Sequence, residues 1–151
     1  MTIDLEKTFC GPSIPLIYEF YFKKLYSNIT FIEKDSPEIV QECIRETPDL
    51  IYQKVFELFM KFYSSAIANF MVQHMTTGGV YLIGGLTKAL LPKIKDRDVL
   101  KDWKERHPDM VKIVNKIPLI FSNEIDLGLK GSFFMAKRLI SHLTNKDHDS
   151  I

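Results

Sequence analysis

Three features of the sequence predict a helix-rich α/β fold. Residues 80–83 and 117–121 are short, apolar, β-prone runs bounded by glycine or proline. Between residues 49 and 75 the chain has no glycine or proline, and apolar side chains recur every three or four positions. Proline also sits repeatedly beside serine or threonine, a pattern that opens helices.

In chain order, Ile3, Leu5 and Phe9 alternate weakly and predict a strand or an approach loop. Gly11-Pro12-Ser13 breaks the chain. Ile14, Leu16, Ile17, Phe20, Tyr21 and Leu25 then predict a helix to about residue 24. Pro15 fits because it falls in the first turn. Residues 28–34 read as a loop or a short extended piece. Ser36-Pro37-Glu38 reads as a serine cap with a first-turn proline, opening a short helix through Ile39, Val40, Cys43 and Ile44. Thr47-Pro48-Asp49 repeats that signal. It opens a helix of about 25 to 28 residues whose inward positions read as Ile51, Val55, Leu58, Phe62, Ala66 and Phe70. The small residues Ser64, Ser65, Ala66 and Ala68 read as packing positions.

The stretch from Thr76 to Thr87 organises the chain. Gly78-Gly79 leads into Val80-Tyr81-Leu82-Ile83, and Gly84-Gly85 follows. The continuous apolar run predicts a strand buried on both faces. Gly84 and Gly85 lack Cβ atoms, so backbone there can turn sharply or meet another body closely. Thr87 reads as the cap of a helix that Pro92 ends or kinks. Strand, glycine pair and helix start either form a plain tight turn or present backbone N–H groups to a nucleotide.

Residues 93–106 mix Lys and Arg with Asp and Glu and read as a solvated face. Asp98 to Glu105 predicts a helix with Val99, Leu100 and Trp103 inward. His107-Pro108-Asp109 starts another helical turn. Pro118 places the second strand's start or an edge nearby. The last helix is expected from about residue 130 to 143, with Gly131 allowing close packing on the sheet. Asp126 reads as its cap or as a cleft carboxylate. The expected organisation is one incomplete domain, 1–144, and a frayed polar tail, 145–151.

The 151 residues are 46% hydrophobic and 26% charged, with net charge +1 and pI near 7.7. Nothing in that balance calls for nucleic acid or an anionic membrane as partner. Cys10 and Cys43 have no metal-like spacing. They read as free thiols in a reducing compartment, with one disulfide as the alternative. The N-terminus has acidic residues and no apolar core of a signal peptide, so a cytosolic protein is expected. No GxGxxG, P-loop, HExxH or GxSxG is present. His74, His107, His142 and His148 are scattered, and no carboxylate pair is recognisable. No catalytic or metal-ligating residue is assigned.

Four blocks resemble the carboxy-terminal part of bacterial-type glucokinases, members of the actin-like sugar kinases. They are Cys10-Gly11-Pro12-Ser13-Ile14 with Leu16-Ile17-Tyr18, then Ala68-Asn69-Phe70, then Gly78 to Gly85, then Ile117-Pro118-Leu119 with Gly128-Leu129-Lys130-Gly131. They stand in the family's order over about residues 5–140. Cys10, Ser13 and Ala68 replace a serine and two glycines of the family pattern. The resemblance implies part of an actin-like (ribonuclease H-like) ATPase lobe. The activity implied for the intact kinase is γ-phosphoryl transfer from ATP, with Mg²⁺, to the 6-hydroxyl of glucose.

The family's phosphate-cradling Asp-x-Gly-Gly-Thr, its Asn-Asp pair with the catalytic aspartate, and its Glu-x-x-His sugar segment are absent here. They belong to the family's amino-terminal side. Nucleotide-side positions alone carry over: Gly84 and Gly85 against adenosine, Gly11 and Pro12 in the neighbouring loop, and Thr77 and Asn69 nearby. The expectation is an enzyme piece, inactive alone, completed by an amino-terminal segment or a homo-oligomer partner. Its isolated form is expected to expose an apolar face. A catalytically dead nucleotide-binding or regulatory paralogue is the alternative, and an unrelated small α/β protein a third reading.

Overall fold

The computed structural model describes residues 6–95, 98–124 and 126–146, and the side chains of 8–95, 98–124 and 126–141. The elements run α1 (Glu6–Phe9), α2 (Ser13–Leu25), α3 (Ser36–Cys43), α4 (Leu50–His74), β1 (Val80–Leu82), α5 (Gly85–Ile94), α6 (Lys101–Arg106), a 3₁₀ turn (Pro108–Met110), α7 (Val111–Val114), β2 (Leu119–Phe121) and α8 (Leu127–Lys146). The first ten residues were expected as strand or loop; Glu6–Phe9 is a helical turn, and residues 1–5 lie outside the described residues.

The 25-residue helix α4 is the axis of the core, and α1, α2, α3, α6 and α7 all touch it. Its buried row is Ile51, Val55, Phe59, Tyr63, Ile67 and Met71. From its middle onward this row lies one residue beyond the expected one. Phe62 and Phe70 are 41% and 49% exposed. Both rows are apolar, so spacing alone could not choose between them; the packed neighbours choose. Each fully buried large side chain contributes about 1.5–3 kcal/mol. Ser64 and Ala68 are buried, as their small size suggested. The helix starts at Leu50, after Asp49, rather than at the Thr47-Pro48 signal.

Helix α2 buries Ile14, Ile17, Tyr18 and Phe22 and turns Leu16 and Phe20 outward. Pro15 stands in its first turn, where the missing N–H has no helical partner to lose. Tyr18 stacks on Tyr52 of α4 at 5.8 Å. In α3 the cap is Asp35, not Ser36. The Asp35 carboxylate accepts from Glu38 N–H, and Glu38 reaches back to the Asp35 N–H. That frees Ser36 for another bond, described below.

α4 ends on Met75 in the left-handed conformation, φ 46°. A turn closed by Gly79 N–H to Thr76 O leads into β1. Gly79 has φ 103°, and a Cβ there would sit 3.1 Å from Pro118 O. The residue therefore keeps β1 close to the segment entering β2. The strands are parallel, with Val80, Tyr81 and Leu82 opposite Leu119, Ile120 and Phe121. Burial on both faces does not hold: Val80 and Ile117 are buried, while Tyr81, Ile83 and Ile120 are exposed. A two-stranded sheet has too little area to cover its own second face.

α6 begins three residues after Asp98, because the Asp98 carboxylate takes the Leu100 N–H into a turn. Leu100 and Trp103 are buried as expected, and Val99 is half-buried. The solvated charge run carries ion pairs such as Lys104–Asp98 at 2.9 Å; Asp96 and Arg97 lie outside the described residues. The last helix is longer than expected at both ends and does not pack closely on the sheet. Residues 126–141 are exposed, and a Cβ at Gly131 would meet nothing within 4 Å. Asp126 precedes it, its carbonyl accepting from Lys130 N–H. The helix runs to Lys146, and 147–151, with His148, lie outside the described residues. Cys10 and Cys43 are free thiols. Among the described residues no helix is long and apolar enough to cross a membrane.

Candidate functional site

The glycine pair forms the turn between β1 and α5. Gly84 is the helix cap at φ 104°, ψ 171°, a conformation confined to glycine. Thr87 is not the cap. It lies inside the first turn, fully buried, and its hydroxyl donates to Ile83 O at 3.3 Å. Tyr63 of α4 completes a chain of hydroxyls, 3.1 Å from Thr87 Oγ1. Burial pushes the Tyr63 phenol above its ordinary pKa, so it stays a neutral donor. These bonds fix the turn against the core. Pro92 does not end α5, which continues to Ile94.

The second wall starts at Gly11. Its carbonyl accepts from Ile14 N–H at 3.1 Å and from Ser36 Oγ at 2.6 Å. The loop before α2 is thereby tied to the first turn of α3. Lys93 of α5 donates to Arg45 O just beyond α3, which holds the two helices side by side. Between them opens a cleft of about 580 Å³. Gly11 and Ser36 form its end, Pro37, Val40, Gln41 and Ile44 one side, and Gly85, Leu86 and Ala89 the other. No lining residue is charged, and the walls are mostly apolar. The volume suits a ligand of nucleoside size. A Cβ at Gly85 would meet nothing within 4 Å, so the space beside it is open.

The glucokinase family model matches residues 1–139. The chain belongs to the glucokinase family. It is 22% identical over 160 aligned positions to the glucokinase of Nostoc punctiforme, an alignment covering 91% of this chain and 45% of that protein. The glucokinases of Nostoc sp. and Trichormus variabilis align over the same shares at 21% and 25% identity. The chain thus spans about half the length of the curated relatives it matches. No solved structure matches it.

Of the positions drawn from the glucokinase resemblance, Gly11 and Gly85 line one cleft, with Pro12 and Gly84 next to them in the chain. Thr77 stands elsewhere, in a hollow of about 430 Å³ beside Lys112 and Lys116 of the α7 region. Asn69 accepts the Trp103 indole N–H at 3.1 Å and so ties α4 to α6. The α3 wall was not anticipated. Its one available signal was a polar Gln41 among the apolar steps Pro37, Val40 and Ile44. Among the described residues, no three His, Cys, Asp or Glu side chains stand together as a metal site.

Proposed function

We propose that this chain is the nucleotide-side, carboxy-terminal part of an ATP-dependent glucokinase and that its cleft holds adenosine. The observation that carries this is the meeting of Gly11 and Gly85, from two separate family blocks, in one neutral apolar cleft. Apolar side chains suit the faces of a purine, and Gly85 lets the ligand lie against the backbone. The first N–H groups of α5 point out of a helix N-terminus beside it. The cleft has no cation for phosphates. Mg²⁺ takes oxygen ligands, and we assign none to this chain. Phosphate, metal and glucose contacts, and the base that takes the hydroxyl proton, fall to the remainder of the kinase.

The uncovered side of β1 and β2, together with α8, is the surface on which that remainder packs. Tyr81, Ile83 and Ile120 are exposed at the sheet, and Phe133, Phe134 and Leu139 are exposed on α8. In this reading residues 1–144 are an incomplete lobe of a cytosolic enzyme, and the chain alone is inert.

Adenosine binding followed by NMR titration tests the cleft. Gly85→Leu has room in the fold and fills the ligand space, so adenosine affinity should fall at least about tenfold, a loss of about 1.4 kcal/mol. Unchanged affinity in a folded variant would overturn the assignment. A coupled assay with glucose and ATP should show no turnover by the chain alone; measurable glucose 6-phosphate would contradict that part.

A further inference from the structure

Apolar walls grip the faces of a base but cannot distinguish one purine from another. That task needs paired donor and acceptor groups at the base edge. Two lining side chains carry hydrogen-bonding groups, Ser36 and Gln41. The Ser36 hydroxyl proton is spent on Gly11 O. The Gln41 carboxamide has no hydrogen-bond or ionic partner among the described residues. It offers one acceptor and two donors. Its backbone is well held. The capping box anchors the start of α3, and Ile39, Val40 and Cys43 are buried on either side in sequence. Lys93 ties the far end to α5.

We propose that Gln41 is the specificity-determining residue of the cleft and selects adenine over other purines. This rests on the reading of the cleft as an adenosine site. A carboxamide pairs with the adenine N6 amino group and N7, accepting from the first and donating to the second. Hypoxanthine presents O6 and N7, both acceptors, at the same edge. The Gln41 carbonyl oxygen would then face another acceptor in either orientation of the amide, at a cost to binding.

Titration of the full chain with adenosine and with inosine, each followed by NMR, tests this. Adenosine should bind about tenfold more tightly than inosine. Gln41 is exposed, so Gln41→Leu should fold, which the same spectra verify. In that variant the two nucleosides should bind within about twofold of each other, mainly through weaker adenosine binding. Equal binding of both nucleosides to the unaltered chain would overturn the proposal, as would a variant that keeps the tenfold preference. Equal loss of both nucleosides in the variant would make Gln41 wall rather than reader, and would also overturn it. Absence of adenosine binding to the unaltered chain would remove the cleft assignment itself, and this proposal with it.

Discussion

Phe59 and Phe133 are the same residue in the middle of two long helices, yet the first is 2% exposed and the second 72%. Phe59 lies on α4, which is wrapped by α2, α3 and the short helices that follow. Phe133 lies on α8, which follows β2 in the chain and is exposed along residues 127–141. Both helices have the periodicity of a buried face. The difference teaches that a local pattern prepares a surface for burial, while a partner surface of matching size completes it. The α4 body has its partners within this chain, and the cleft between α3 and α5 belongs to that body. The second face of the sheet and α8 do not have theirs among the described residues.

The largest contrast should come from truncating those two phenylalanines. Phe59→Ala should cost about 3–5 kcal/mol in urea unfolding. Phe133→Ala should stay within about 0.5 kcal/mol. Equal costs would break the comparison, because α8 would then be packed in solution.

Glycines give a second contrast. Gly79→Ala should destabilise by about 1–3 kcal/mol, since alanine is strained at φ 103° and its Cβ would press on Pro118 O. Gly131→Ala has open space and a helical backbone, so it should raise helix content by circular dichroism without loss of stability. A neutral Gly79→Ala would show that the approach of β1 to the β2 segment is not tight.

A smaller effect is expected from alkaline titration of the α4 body. Burial pushes the Cys43 thiol from its ordinary 9.0 up to about 12. Burial also raises the Tyr18 and Tyr63 phenols above 10.0. These groups hold their protons more firmly when folded. Their stabilising contribution is therefore complete below the ordinary values and is lost as pH rises through the raised ones. Denaturation midpoints should fall from about pH 9 toward 12. Cys43→Ala should flatten the first part of that fall relative to the unaltered chain. A midpoint constant up to pH 12 would contradict the buried, neutral state of these groups.

Much of the fold was legible in the sequence because it rests on local chemistry. The uninterrupted stretch after Pro48 marks α4, and the apolar runs with their glycines and proline mark β1 and β2. Which side chains cap a helix was less legible. Ser36 and Thr87 look like caps, but the Ser36 hydroxyl reaches Gly11 O, a partner set by tertiary packing, and the Thr87 hydroxyl turns back to Ile83 O, where Tyr63 of α4 meets it. Burial of the strands was misjudged because β-propensity says nothing about what covers a strand. In the cleft, Gly84 and Gly85 stood out in the strand–glycine–helix pattern, and Gly11 came from the family resemblance. Gln41 did neither, since its one local sign, a polar residue among the apolar steps of a short helix, points to no cleft until α5 is placed opposite.

Hydrogen exchange of the whole chain, with and without adenosine, tests the account most directly. The core amides of α4 should exchange only on global unfolding, while those of α8 should show little protection. Adenosine should add protection at the turn around Gly11 and at the starts of α3 and α5, and none in α8. Protection in α8 equal to that in α4, or an adenosine effect confined to the hollow around Thr77, would contradict it.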